Sequence, residues 1–230
     1  MQGIIRDVTD VKTLVFFIAA ALLGYLIGSL NLSIALSRSK GKDIREMGSG
    51  NAGTTNTLRT MGVGSAVMVL IFDIAKGCLV PLALILTGKA NPWFFYSTCY
   101  SAAYIYAVMA VIGHCFPVYY GFRGGKGIAT AAGALLVISP VATGIAIVEF
   151  LIMVILFRFV SLGSIVAVIN IPLFTYLLNM DIIGERERLM AATIAIALVA
   201  LFKHLPNVKR IREGSESPLW GKKKDKKETE

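Results

Sequence analysis

Charged residues are scarce in this chain of 230 residues. They make up 16% of it, whereas soluble domains usually carry about 25%. The mean hydropathy is +0.70, and no polar stretch is long enough to fold as a separate domain. These deficits exclude an ordinary soluble protein. The apolar residues instead form long runs separated by short basic stretches, which is typical of membrane-spanning helices and their loops.

Cysteine and histidine are also scarce, with three cysteines and two histidines in the whole chain. Cys78, Cys99 and Cys115 each stand alone within or beside an apolar run, and no CxxC pair or His/Cys cluster exists. A disulfide framework and a zinc site are therefore excluded by spacing. We expect neither a metal nor a cofactor.

The net charge of +9 is compatible with nucleic-acid binding. The lysines and arginines, however, gather in short loops and in the C-terminal stretch Gly221–Glu230. In a membrane protein this pattern sets orientation and attracts anionic lipid. We therefore expect contact with membrane lipid and not with nucleic acid. Residues 1–12 contain Asp7 and Asp10, unlike the basic start of a signal peptide, so the first apolar run should be retained.

The apolar runs predict an all-α, polytopic membrane bundle of about seven transmembrane helices. The cations in the loop Ser37–Met61 place that loop in the cytoplasm and the N-terminus outside. Seven crossings then put the C-terminus in the cytoplasm, and five with two re-entrant segments would preserve that parity. We expect one domain at 1–214 and a basic, disordered tail at 215–230. The predicted spans are Thr13–Leu36, Gly62–Thr87, Trp93–Ile112, Ile128–Ser139, Val141–Phe157, Leu162–Leu178 and Met190–Phe202.

The first unusual loop is the glycine-rich stretch Gly48–Asn56, followed by Arg59. Glycines allow backbone N–H groups to approach an anion closely, and Arg59 adds a planar, charged fork. The stretch also matches G-x-G-x-x-G, but that motif requires a βαβ unit for dinucleotide binding. We favour an anion cradle over a flexible connector because of the density of donors.

The second loop runs from Gly113–Pro117 to Phe122–Gly127. Its glycines surround Lys126 just before an apolar helix, which favours phosphate binding at the helix N-terminus. A Walker A loop is excluded because Gly127 stands where Ser or Thr is required. His114 is interpreted as a structural residue in preference to a base.

Two further segments lie on the same predicted side, Ser161–Ser164 and Lys203–Asn207. His204 and Asn207 become candidates for handling a substrate hydroxyl because they lie beside two anion loops. Within the second span, Asp73 and Lys76 are three residues apart and can pair on one helix face. A structural ion pair and a functional one are equally compatible with this spacing.

Taken together, these segments resemble the bacterial acyl-phosphate:glycerol-3-phosphate acyltransferase (PlsY) family. The resemblance covers nearly the whole chain and is most specific at Asp43–Asn56 and Arg123–Thr130. Phe72-Asp73 with Lys76-Gly77, Ser161–Ser164, and His204 with Asn207, Arg210 and Gly214 also match that family's pattern. The chain departs from the pattern at Leu30-Asn31 and Ala52–Thr54, where the family usually has proline, and at Pro206, which replaces an acidic residue.

The resemblance implies transfer of an acyl group from acyl phosphate to the 1-hydroxyl of glycerol 3-phosphate, for phospholipid biosynthesis at the cytoplasmic face of the bacterial inner membrane. It implies no obligatory protein partner. The catalytic residues would be Ser49, Arg59, His204 and Asn207. The substrate-binding residues would be Gly50, Asn51, Thr55, Asn56, Gly124, Gly125, Lys126, Gly127 and Ser164. The hydroxyl proton could be taken by His204 or by the acceptor's own phosphate.

The main alternative is a transporter or channel for a phosphorylated solute, which would also use intramembrane charge and glycine loops. The candidate anion sites gather at one face, and no inverted repeat is evident between the two halves. Both features favour an enzyme. Lipid acyltransferases with a soluble catalytic domain are excluded, because their H-x-x-x-x-D motif is missing: Tyr119 and Lys209 stand where the aspartate is needed.

Overall fold

The computed structural model describes residues 11–90, 96–178 and 186–220. Within these ranges the chain forms nine α-helices and no strand, together with two 3-10 turns at Ile44–Glu46 and Val118–Tyr120. The helices are α1 (Val11–Gly28), α2 (Leu32–Ser39), α3 (Thr54–Met61), α4 (Val63–Ala90), α5 (Tyr96–Cys115), α6 (Ile128–Ile138), α7 (Pro140–Phe157), α8 (Val160–Leu177) and α9 (Arg186–Arg212). The predicted all-α class is confirmed.

Among the described residues, six segments are long and apolar enough to cross a membrane. These are α1 together with α2, α4, α5 continued to Tyr120, α7, α8 and α9. Helix α6 is apolar but has 11 residues, so it is about 17 Å long against a hydrocarbon core of about 30 Å. The count of seven full crossings and the orientation of the termini therefore stay predictions.

The first apolar run is broken, whereas the sequence predicted one helix over Thr13–Leu36. Helix α1 ends at Gly28 and α2 begins at Leu32. The cause is Asn31, whose side-chain oxygen accepts a hydrogen bond from the backbone N–H of Ile34 at 3.0 Å. Asparagine is among the best N-cap residues, so its side chain begins a new helix within an otherwise apolar run.

Glycines allow the helices to pack at backbone distance. At Gly28 of α1, the space for a side chain is filled by the carbonyl of Ala110 in α5. Gly113 of α5 meets the carbonyl of Tyr25 in the same way. Helices α4 and α6 repeat the arrangement, since Gly77 lies against the backbone of Thr130. Small residues at such contacts are typical of membrane bundles, in which close packing replaces the hydrophobic effect as the associating force.

Helix α5 is the centre of the bundle. In its spanning stretch 67% of the residues are buried, compared with 22% in each of the spans that contain α1 and α7. Its buried face carries alanines, valines and tyrosines that contact the other helices. The outer helices instead expose leucine, isoleucine and valine, as at Leu22, Ile71 and Leu156. Such an outward-facing apolar surface matches a lipid environment.

We predict that Gly113→Ala destabilises the protein, because a Cβ at this position overlaps the backbone of α1. Overpacking of this kind costs about 2 kcal/mol, which corresponds to a melting temperature lower by roughly 5 °C. Thermal unfolding in detergent measures the effect. Gly144→Ala is the matched control, since Gly144 is also helical but has nothing near the position of the added carbon. Equal shifts for both variants would contradict the packing argument.

Candidate functional site

One cavity of about 490 Å³ opens among the segments that the sequence placed on a common side. Its polar end is lined by residues of the two glycine loops and of α8 and α9, including Ser49, Arg59, Lys126, Ser164 and His204. Its other end is apolar and extends between the helices, where Leu135, Ala146, Phe150, Ala167, Val168 and Ile171 line it. The cavity therefore suits a ligand with a charged head and a long apolar tail.

Three helix N-termini meet at the polar end. The residues that begin α3, α6 and α8 line the cavity, namely Thr54 and Thr55, Ile128 and Ala129, and Val160 and Ser161. The capping residues Gly53, Gly127 and Phe159 make no side-chain cap hydrogen bond. The first N–H groups of a helix have no acceptor within it, and the helix dipole makes that end positive. The arrangement favours binding of anions.

The first loop is shaped by Asn56, which is almost fully buried. Its oxygen accepts a hydrogen bond from the backbone N–H of Ser49 at 2.9 Å. Its amide nitrogen donates to the carbonyls of Ile44 and Met47 at 3.2 and 2.9 Å. All of the side chain's bonds thus hold the loop, so the role that the geometry gives Asn56 is to present Ser49 to the cavity.

Gly50 serves the same loop in another way. Its φ of +71° lies in the left-handed region, which glycine adopts without steric cost. It does not line the cavity. The backbone gives Gly50 a turn-forming role, and its substrate contact stays a prediction.

The second loop uses its glycines to cap α5. The N–H of Gly124 donates to the carbonyl of Cys115 at 3.3 Å, and the N–H of Gly125 donates to the carbonyl of His114 at 3.1 Å. These two N–H groups are occupied within the protein, and neither glycine lines the cavity. Gly127 has a φ of +80°, caps α6 and is likewise outside the lining. The geometry gives the three glycines the role of positioning Lys126 and the start of α6, and their direct contacts with substrate stay predictions.

Lys126 begins a chain of buried hydrogen bonds. Its ammonium donates to the side-chain oxygen of Asn207 at 2.6 Å, and the amide of Asn207 donates to Glu216 at 2.7 Å. Glu216 also accepts from Ser161 and from Arg210, each at 2.7 Å. Asn207 has both polar atoms engaged and orients Lys126, and its contact with a substrate hydroxyl stays a prediction.

Burial and neighbouring charged groups shift the pKa values of Lys126 and Glu216. Burial lowers the pKa of Lys126 to about 8, helped by the positive charges of Arg210, Arg59 and Lys203 and opposed by Glu216. Burial acts to raise the pKa of Glu216, but its hydrogen bonds from Arg210, Ser161 and Asn207 outweigh that effect and hold the pKa below its ordinary value. Lys126 is therefore charged near neutral pH and loses its proton in mild base, and a bound anion would raise its pKa again.

His204 presents one ring nitrogen to the cavity. Its Nδ1 lies 2.7 Å from the carbonyl oxygen of Ala200. A carbonyl can only accept, so Nδ1 carries the proton and Nε2 of the neutral ring is left as an acceptor. Ser164 is held similarly, since its hydroxyl donates to the carbonyl of Val160 at 2.8 Å and keeps its oxygen as an acceptor.

Arg59 reaches the site from the last turn of α3. Its guanidinium donates to the carbonyl of Ser217 at 2.8 Å, which fixes one side of the group. Ser217 belongs to the segment that follows α9, so α3 is tied to the same segment that carries Glu216. The remaining donors of the fork stay available to a ligand.

Nine of the thirteen residues that the sequence proposed for the site line the one cavity. They are Ser49, Asn51, Thr55, Asn56, Arg59, Lys126, Ser164, His204 and Asn207. The other four are the glycines discussed above. Within the described ranges, no group of three or more His, Cys, Asp or Glu side chains could hold a metal ion.

Glu216 was missed by the sequence interpretation. It is 7% exposed and lies two residues past the predicted end of the domain at 214, so the bundle extends at least to this residue. Two acidic residues, Glu213 and Glu216, follow Arg210 and Arg212 in the sequence and were the available signal. Thr54 was also missed; it lines the cavity at the start of α3, next to the predicted Thr55.

Comparison with known proteins agrees with this architecture. Residues 18–214 match the family model described as Glycerol-3-phosphate acyltransferase. A protein of that name from Halalkalibacterium halodurans is 39% identical over 201 residues, covering 86% of this chain and 93% of the relative. One from Geobacter sulfurreducens is 37% identical over 195 residues, covering 85% and 93%.

Two solved structures have the same fold. A crystal structure of PlsY (YgiH), an integral membrane glycerol 3-phosphate acyltransferase in its glycerol 3-phosphate form, superposes with a TM-score of 0.78 at 29% identity, covering 89% of this chain and 96% of that one. Its lysophosphatidic acid form gives a TM-score of 0.75, also at 29% identity, with coverages of 88% and 94%.

The apolar bundle and its anion-binding cavity define a helical integral membrane enzyme, an acyltransferase of phospholipid biosynthesis. The chain belongs to the glycerol-3-phosphate acyltransferase family. The resemblance noted in the sequence is thereby confirmed, and the transporter alternative receives no support.

We predict that affinity for inorganic phosphate falls as the pH rises through about 8, because Lys126 then loses its positive charge. In Lys126→Arg the affinity should stay level from about pH 8 to 10, where inorganic phosphate is a dianion throughout and a guanidinium remains protonated. Thermal-shift titration with phosphate from pH 6 to 10 measures both. Lys209→Arg is the control, because that lysine is exposed and pairs with Glu213 outside the cavity. A wild-type affinity that does not change across pH 8 would contradict the prediction.

Proposed function

We propose that the protein transfers a fatty acyl group from acyl phosphate to the 1-hydroxyl of glycerol 3-phosphate, releasing inorganic phosphate and 1-acylglycerol 3-phosphate. The cavity opens to the cytoplasmic side of the bacterial inner membrane. The basic side chains around its mouth support this orientation, since Arg38, Lys42, Arg123, Lys203 and Arg210 all lie in segments at that end.

The form of the cavity supports a donor with two unlike ends. An acyl phosphate has a dianionic head and a hydrocarbon chain, and the cavity joins a cationic mouth to an apolar extension between α6, α7 and α8. The acceptor, by contrast, is small and fully polar. It fits only the mouth, so both phosphates must lie near each other during transfer.

The charges at the mouth offset the repulsion between these phosphates. Two unit charges about 6 Å apart repel by roughly 3 kcal/mol at an effective dielectric near 20, and each substrate carries more than one charge. Arg59 and Lys126 contribute two full positive charges, and the N-termini of α3, α6 and α8 add partial ones. Since these groups are already in place, no reorganisation is needed when the substrates react.

The chemistry needs little more than alignment. The acceptor oxygen attacks the acyl carbon, the ester bond forms, and the bond from that carbon to the phosphate oxygen breaks. Acyl phosphate is a mixed anhydride with a good leaving group, so no covalent enzyme intermediate is required. The hydroxyl proton passes to a base and finally to the departing phosphate. Proximity and orientation supply most of the rate.

The convergence of three uncapped helix N-termini with Arg59 and Lys126 in one cavity carries this proposal. The test is an assay of the purified protein in lipid nanodiscs with glycerol 3-phosphate and, in parallel, acyl phosphate, acyl-CoA or acyl carrier protein as donor. We expect stoichiometric release of phosphate and formation of lysophosphatidate with acyl phosphate alone. Product formation only with acyl-CoA or acyl carrier protein would refute the proposed donor.

We propose that Nε2 of His204 orients the acceptor by accepting a hydrogen bond from its 2-hydroxyl, while the acceptor's own phosphate takes the proton of the reacting 1-hydroxyl. His204→Gln should then lower kcat by about tenfold, because glutamine can still accept a hydrogen bond, and the fall of kcat at low pH should persist. General bases contribute about 10²- to 10⁴-fold. A loss of that size, together with disappearance of the low-pH fall, would instead make His204 the base. Leu205→Ala, at an exposed position on the same helix, is the control.

A further inference from the structure

A buried polar cluster lies between two of the helices, and two of its members, Asp73 and His114, line the cavity. The proposed acyl transfer assigns it no chemical step. We define it as Asp73 and Lys76 of α4 with His114 of α5. The ammonium of Lys76 lies 2.8 Å from the Asp73 carboxylate and 2.9 Å from Nδ1 of His114. All three residues are at most 5% exposed. A buried charge is costly unless it is paired, and here the Asp73 carboxylate is paired with the Lys76 ammonium.

The cluster contacts the second loop through His114. Its ring nitrogen Nε2 occupies the space where a side chain on Gly125 would lie. Its backbone carbonyl accepts the N–H of Gly125 at 3.1 Å. His114 therefore holds Gly125 by both packing and hydrogen bonding. Because Lys126 follows directly, the position of the ring bears on the position of the lysine.

The cluster contacts the first loop through the break between α1 and α2. Lys76 donates to the carbonyl of Leu30 at 2.7 Å. The next residue, Asn31, caps α2 with its oxygen and donates its amide to the carbonyl of Ala52 at 3.1 Å. Asn31 and Ala52 are both buried, at 2% and 0% exposure. The chain of contacts thus runs from α4 to the middle of the first loop.

The contacts through His114 and those through Asn31 meet where the carbonyl of Ala52 approaches Gly125. The carbonyl of Ala52, which Asn31 holds, lies 2.9 Å from where a side chain on Gly125 would begin. The first loop and the second loop therefore touch backbone to backbone, with His114 on one side and Asn31 on the other. Farther out, Arg45 donates to the carbonyl of Tyr120 at 2.7 Å and gives the loops a second, more exposed connection.

We propose that Asn31 is a positioning residue for acyl transfer, which fixes the first loop against the second through its hydrogen bond to Ala52 and its link to the cluster. This inference rests on the proposed function, because only a reaction between two phosphate-bearing substrates needs the two loops at a fixed separation. A displacement of about 1 Å between reacting groups can lower a rate by about 10²-fold. Asn31 stands where the family usually has proline, so this connection belongs to the present chain.

The test is Asn31→Ser. Serine is also a good N-cap, so α2 keeps its start, but its side chain is too short to reach the carbonyl of Ala52. We expect kcat with both substrates saturating to fall at least tenfold. Affinity for inorganic phosphate should stay within about threefold of wild type, because each loop keeps its own donors. A merely structural defect would lower both quantities together.

Asn170→Ser is the matched control. Asn170 is also an asparagine within the bundle, and its amide donates to Glu149 at 2.6 Å between α7 and α8, away from the cavity. We expect it to lower the melting temperature by as much as Asn31→Ser does while leaving kcat within twofold of wild type. A kcat within twofold for Asn31→Ser, or a loss of kcat equal to the loss of phosphate affinity, would overturn the inference.

An incorrect donor assignment can be distinguished from an incorrect role for Asn31. If the wild-type protein forms product only from acyl-CoA or acyl carrier protein, the donor assignment is wrong. The ratio of Asn31→Ser to wild-type kcat, measured with the donor that is used, still decides whether Asn31 positions the loops.

Discussion

Positive charge must be concentrated at the rim of an apolar bundle, and most of the architecture follows from this constraint. Full charges are costly to bury in such surroundings. The chain limits the number of cationic side chains in the cavity to Arg59 and Lys126 and adds the N-termini of α3, α6 and α8. Helix ends carry partial charge without the rotamer entropy of a long side chain, and their N–H groups are fixed in direction.

Glu216 makes this concentration of charge stable in the absence of a ligand. It accepts hydrogen bonds from Ser161, Asn207 and Arg210. Through Asn207 it also holds Lys126 in place. This carboxylate lines the cavity with Arg59 and Lys126, and its negative charge offsets their mutual repulsion. An anionic ligand then balances the remaining positive charge of Arg59 and Lys126.

Close helix packing is what brings these groups together. The loops that carry Ser49 and Lys126 are far apart in the chain, and they meet because glycines let α5 approach α1 and let α6 approach α4 at backbone distance. The same glycine chemistry gives the second loop a structural role beside the predicted one. Gly124 and Gly125 look like anion donors in the sequence, but their N–H groups complete the C-terminal end of α5. A glycine-rich motif reports a close backbone approach without saying whether the partner is a ligand or another helix.

The sequence by itself determined the membrane class, the all-helical fold and most of the cavity residues, because apolar runs of spanning length and clustered loop donors are local properties. It could not reveal the break at Asn31 or the burial of Glu216. Each of these depends on partners distant in the chain: Ala52 for Asn31, and Asn207 with Ser161 for Glu216. Only the tertiary structure decided which polar groups face a ligand and which face one another. The reason is that a polar group forms its hydrogen bond with whichever partner the packing brings within reach.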